Sequence, residues 1–162
     1  MLSITSVRPS RLFVSGLGLL SLLWAQNPQI QKALDKAGLK HTVDRDGDFK
    51  LLFEVDEGRT QLVFINSKTE EMGGQTIVEI WSPAYNGPAN QDASVWLALL
   101  TDSQRKKVGA WQTETSNNQV LAIYKAKLPL SSLTPEFLKA VCSGVAAVAD
   151  EVEKKMSEKD EF

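Results

Sequence analysis

Asp44-Arg45-Asp46-Gly47-Asp48-Phe49-Lys50-Leu51-Leu52-Phe53-Glu54-Val55 is the stretch whose reading decides the fold. Asp46-Gly47 is a tight-turn pair, because both residues tolerate the positive φ that such turns require. Behind it, Phe49, Leu51, Phe53 and Val55 alternate with Lys50, Leu52 and Glu54. A period of two places the first set on one face of a strand. The turn implies a partner before it, and residues 39–44 read as that strand. Downstream, Glu57-Gly58 makes the next turn. Leu62-Val63-Phe64-Ile65 is then a nearly continuous apolar run, the pattern of a central strand buried on both faces.

Further along, a loop is expected around Met72-Gly73-Gly74. Residues 76–81 form another strand, stopped by Pro83, since proline cannot donate to a ladder. Asn86-Gly87-Pro88 breaks the chain again. The second helix starts near Asn90 or Asp92 and carries Ala93, Trp96, Leu97 and Leu100 as its apolar face. Residues 106–115 and 119–128 make a hairpin around Ser116-Asn117-Asn118, with Trp111 as its anchor.

Two more helices bracket this set. Asn27 caps the first, Pro28 suits its first position, and Gly38 ends it; Ile30, Ala33, Leu34 and Ala37 share one face. Thr134 caps the last, followed by Pro135 and Glu136. Phe137 or Leu138, Val141, Val145, Val148, Val152 and Met156 make its long stripe. The order is α-β-β-β-β-α-β-β-α. Segregated strands and helices point to an α+β fold with an antiparallel sheet and flanking helices on one face. Such a sheet leaves its other face wet or available for pairing.

The chain has 162 residues, 43% hydrophobic and 23% charged, and a formal net charge of −2. One domain of this size can bury a core without disulfides or metals. No basic surplus exists to hold a nucleic acid backbone. Residues 1–25 differ in composition from the rest. Arg8 and Arg11 precede an uncharged run from residue 12 to 25, the pattern of an export signal, too short to span a bilayer comfortably. The expectation is a signal segment at 1–25, a single domain at 26–157, a charged tail at 158–162, and a periplasmic or secreted location. A cytoplasmic location follows if the first segment is not a signal.

The pattern resembles the YbjN family, whose domain is similar to type III secretion chaperones. The resemblance is carried by Lys36-Ala37-Gly38-Leu39 at the end of the first helix and by the Asp44–Asp48 turn. It is also carried by Leu128-Pro129-Leu130-Ser131-Ser132-Leu133-Thr134-Pro135-Glu136-Phe137-Leu138 before the final helix with its Ala149-Asp150. It implies a curved antiparallel sheet with three flanking helices and a protein-binding, chaperone-like or regulatory role. Family members are labelled bacterial sensory transduction regulators. The resemblance transfers no catalytic residues.

The reactive groups are few. Cys142 is the only cysteine and His41 the only histidine. A histidine-based triad, a three-histidine zinc site and a Cys/His nucleophile pair therefore lack their parts, or hang on a single distant pairing. Asp44, Asp46 and Asp48 lie close together, but a calcium loop needs a later Gly and a Glu at its twelfth position, where Val55 stands. They read as turn residues. His41 lacks a second ligand, and Cys142 reads as a small buried hydrophobe. Gly16-Leu17-Gly18 and Met72-Gly73-Gly74 are not phosphate loops. Trp24 belongs to the first segment, while Trp81, Trp96 and Trp111 read as core or sheet-face residues. Residues 150–162, with six acidic and three basic side chains, read as a solvated helix end, of which residues 154–162 fray. No catalytic, cofactor-binding or metal-ligating residue is assigned, and no cofactor.

The function this supports is an exported, non-enzymatic module that binds another protein, or itself as a homodimer, through a sheet face or edge. Residues 62–65 and 76–81 are the first place to look. A small-ligand or lipid carrier would instead need an open cavity between the last helix and the sheet. A carboxylate enzyme would need Asp44, Asp46 and Asp48 in a cleft.

Overall fold

The computed structural model describes residues 26–157 and 159–162. The expectations for residues 1–25, Trp24 and the export signal included, lie outside the described residues. The elements are α1 (Pro28–Ala37), β1 (Thr42–Val43), β2 (Phe49–Glu54), β3 (Thr60–Ile65), β4 (Glu70–Met72), β5 (Gln75–Pro88), α2 (Ala93–Ser103), β6 (Ala110–Ser116), β7 (Gln119–Pro129) and α3 (Pro135–Met156). One antiparallel sheet runs in the order β1-β2-β3-β5-β7-β6, with β4 paired to β5. The fold is α+β. Helix α3 packs on β3, β5 and β7 and against α1, while α2 packs on β6.

Local chemistry sets the helix ends. Asn27 Oδ1 accepts the N–H groups of Gln29 and Ile30, and Gly38 closes α1 in the left-handed region. Asp92 accepts from Ser94 N–H at the start of α2, and Thr134 from Phe137 N–H at the start of α3. The β6–β7 turn places Asn117 and Asn118 both at positive φ, the geometry of a two-residue hairpin.

The core lies between the sheet and α3. Phe49, Leu51, Val63, Ile65, Val78, Ile80, Tyr124 and Ala126 face Leu138, Cys142, Val145 and Ala149, all buried. Cross-strand partners share a face, so the register Phe49↔Ile65↔Ile80↔Ala126 is one buried row. Burying each large aliphatic side chain contributes about 1.5–3 kcal/mol. Trp111, paired with Tyr124, is the expected hairpin anchor and lies in this core.

Several sequence expectations are corrected. The first strand spans only Thr42–Val43 rather than residues 39–44. The expected Met72 loop holds β4 and its turn onto β5. Strand β5 does not stop at Pro83 and runs through Asn86-Gly87-Pro88. Its ladder with β7 shifts register between Pro83 and Tyr85, and a bulge is where a sheet accommodates proline. In β3 the burial alternates: Gln61, Val63 and Ile65 are buried, whereas Leu62 and Phe64 are half-buried. The strand is thus covered on one face only. On α2 the inward residues are Val95, Trp96 and Leu99, while Leu97 and Leu100 are exposed.

The C-terminal stretch is corrected as well. Asp150 and Glu153 are buried. Arg59 Nε lies 2.6 Å from Asp150 Oδ1, and its Nη2 lies 3.0 Å from Glu153 Oε2 and 3.4 Å from Asp160 Oδ1. Glu161 N–H donates to Glu153 Oε1, and Thr60 N–H donates to Asp160 Oδ2. Asp150 and Glu153 thus pair with a guanidinium instead of facing water, while Glu151, Asp160 and Glu161 stay exposed.

Candidate functional site

All three helices stand on one side of the sheet, so the opposite face carries no helix; it is closed over Pro83 and Ile123 and open toward β2 and β3. Across it runs the row Lys50↔Phe64↔Trp81↔Lys125. The Phe64 and Trp81 rings stack with centroids 4.5 Å apart and planes inclined by 16°. Such offset stacking adds about 0.5–1.5 kcal/mol beyond burial. Beside the pair, Leu52 and Leu62 oppose one another across β2 and β3. Leu52 is 63% exposed.

The aromatic pair is held in place by a polar chain. Trp81 Nε1–H donates to Asn66 Oδ1 at 2.7 Å, and Asn66 Nδ2 donates to Glu79 Oε2 at 2.8 Å. Glu79 in turn pairs with Lys127 at 2.6 Å and Lys125 at 3.1 Å. Burial works to raise the Glu79 carboxyl, but hydrogen bonds from Lys127 and Lys125 and their charges outweigh it and hold the group below the usual glutamate range. Glu79 therefore stays ionised, and the indole orientation is fixed by partners on the same face. The result is an apolar island of Leu52, Leu62, Phe64 and Trp81 bordered by an ionic cluster.

No family model and no curated protein matches the chain. Among solved structures it is similar to the crystal structure of YbjN from E. coli. The likeness covers 84% of this chain and 96% of that one, at 12% identity and a TM-score of 0.47. It concerns the course of the chain and transfers no residue role.

The other candidate residues are engaged in the fold. Asp44 Oδ1 accepts the N–H groups of Asp46 and Asp48, and Asp48 Oδ1 accepts from Ser67 N–H. Burial pushes the Asp48 carboxyl up, against the Ser67 hydrogen bond, and the charges of Asp44, Asp46 and Glu79 add to the rise. Three carboxylates that do converge among the described residues are Asp150, Glu153 and Asp160. They are not adjacent in sequence, and Arg59 occupies the space between them.

His41 receives a hydrogen bond from Gln31 Nε2 at its own Nε2, which leaves Nδ1–H to donate to Leu39 O. Its ring also meets Phe49 edge-on. Cys142 is buried in α3, and burial pushes its thiol up to about 12, far from a reactive thiolate. Trp111 and Trp96 lie on the helix side: Trp111 donates Nε1–H to Asp102 Oδ2, and Trp96 meets Tyr85. Of the tryptophans at 81, 96 and 111, only Trp81 belongs to the open face. Sequence reading placed residues 62–65 and 76–81 in the region to search. It did not separate Phe64 from Val63 and Ile65, although the alternation of β2 opposite them carried that signal.

Among the described residues no helix is long and apolar enough to cross a membrane.

Proposed function

We propose that the chain is an exported, non-enzymatic protein-binding module, chaperone-like or regulatory, that receives an apolar segment of a partner protein on its open sheet face. One observation carries this reading. All three helices pack on the other side, which leaves Leu52 and the stacked Phe64–Trp81 pair without a covering element among the described residues. An aromatic pair pre-set by Asn66 and Glu79 loses little conformational freedom on binding, which favours a contact surface. The bordering Lys50, Lys125, Lys127 and Glu79 suit the polar rim of an interface.

A non-enzymatic role is supported by the engagement of the solitary imidazole and the burial of the solitary thiol. Export is supported by Arg8, Arg11 and the uncharged run at residues 12–25.

The test is affinity capture from the native envelope fraction with wild type and Leu52→Glu in parallel. Leu52 is exposed, so the variant keeps its fold, which a melting curve checks. The expected result is a partner recovered with wild type and lost with Leu52→Glu. Identical recovery with both proteins, or absence of the protein from the envelope fraction, contradicts the reading. A shift of wild type to a dimer that Leu52→Glu abolishes makes the partner a second copy.

A further inference from the structure

On the helix side an open apolar groove of about 420 Å³ runs between α3 and the segment that leads into β6. Phe137, Ala140, Gly144 and Val148 line it from α3, and Val108 and Tyr124 from the opposite wall. Arg105, Lys106 and Lys107 stand along its rim. The volume falls in the range of small-molecule sites, about 300–1,000 Å³.

Three features of this groove point to one chemistry. First, its walls are largely apolar, and the Tyr124 hydroxyl is engaged with Val108 O, so no free convergent polar group reads a sugar, base or peptide bond. Second, three successive cations line it. Lys106 is tied to Asp102 at 3.1 Å and to Glu151 at 3.8 Å, and the largely exposed Arg105 only reaches Asp102 at 3.3 Å. Lys107 makes no ion pair among the described residues. Third, Gly144 sits inside a 22-residue helix, and a Cβ added there meets nothing within 4 Å. Glycine is the poorest helix former after proline. Internal packing does not require it at this position, and its missing side chain deepens the groove.

We propose that this groove binds a single acyl chain whose anionic headgroup is held by Lys107 and Arg105. The chain lies along α3 over Gly144, with its methylenes against Phe137, Ala140, Val148 and Val108. The charged end sits beside Lys107 and Arg105, and the chain lies in the apolar slot. The occupant is an anionic amphiphile such as a fatty acid, and the site is separate from the open sheet face.

The experiment is titration of the full-length chain with laurate and, separately, with dodecanol, below the concentration at which laurate forms micelles. Wild type, Gly144→Leu and Lys107→Gln are compared. Leucine is a better helix former than glycine and occupies free space, so Gly144→Leu folds. Wild type is expected to bind one laurate saturably. Gly144→Leu weakens that binding by at least about tenfold, because the groove is filled. Lys107→Gln weakens laurate by about threefold and leaves dodecanol unchanged. Absence of saturable binding, or equal binding by wild type and Gly144→Leu, overturns the proposal. Loss of a dimer in Gly144→Leu without any laurate binding also overturns it and assigns the groove to a second copy.

Discussion

Arg59 and Asp150, 91 positions apart in the chain, meet at 2.6 Å between the start of β3 and the inner side of α3. The contact closes a network in which one guanidinium serves Asp150, Glu153 and Asp160. Replacing Arg59 by Met leaves the buried Glu153 carboxylate without its cation and leaves Asp150 with Lys154 alone, 3.4 Å away. Breaking one side of a buried ion pair costs about 3–5 kcal/mol. Urea unfolding of Arg59→Met is therefore expected to show a loss of about 3 kcal/mol against wild type. A loss below about 1 kcal/mol, the level of a surface pair, contradicts the network's role.

The same network sets a pH dependence. Burial raises the Glu153 carboxyl above the ordinary glutamate range, and the Glu161 N–H and Arg59 offset it only in part. A carboxyl raised in the folded state favours folding below its unfolded value, and that contribution is lost as pH climbs through the folded value. Glu153→Gln removes the titration. Compared with this variant, wild type is expected to lose stability as pH rises above the ordinary glutamate range. Unfolding curves at four pH values for both proteins check it; a difference constant with pH contradicts it.

Two glycines give opposite signs. At Gly109, φ is 83° and an added Cβ would stand 2.8 Å from the Lys125 carbonyl oxygen. Gly109→Ala is expected to destabilise by about 1–3 kcal/mol. At Gly144 the helix interior is open, and Gly144→Ala is expected to stabilise by about 0.5–1 kcal/mol. Melting temperatures of the two variants on either side of wild type confirm the pair.

The Cys142 thiol supplies a probe of opening. It is buried and pushed up to about 12. Reaction with a thiol reagent at neutral pH is expected only as the α3–sheet core opens, so the rate follows denaturant concentration. Fast stoichiometric labelling of the native protein contradicts this placement.

Helix ends and strand alternation were legible because they rest on neighbours. Asn27, Gly38, Asp92, Thr134 and Pro135 act through groups within four residues. The pairing of Arg59 with Asp150 and Glu153 was not legible, since charge counts in residues 150–162 do not say which acids meet a distant cation. Pro83 misled for a related reason: a missing N–H ends a regular ladder but is tolerated at a bulge, and the bulge depends on β7. The open face was half legible. Residues 62–65 read as buried on both sides because an apolar run looks alike whether or not a second layer covers it. The placement of all three helices on one side decides that Leu62 and Phe64 are half-exposed.

Leu52 and Leu97 are nearly equal in exposure, 63% and 64%, and lie on the open face and on the helix side. Comparing Leu52→Glu with Leu97→Glu for recovery of the native partner separates the working face from exposed apolar surface in general. The account predicts that Leu52→Glu loses the partner while Leu97→Glu keeps it. Retention by Leu52→Glu together with loss by Leu97→Glu would move the binding surface to α2 and contradict the account.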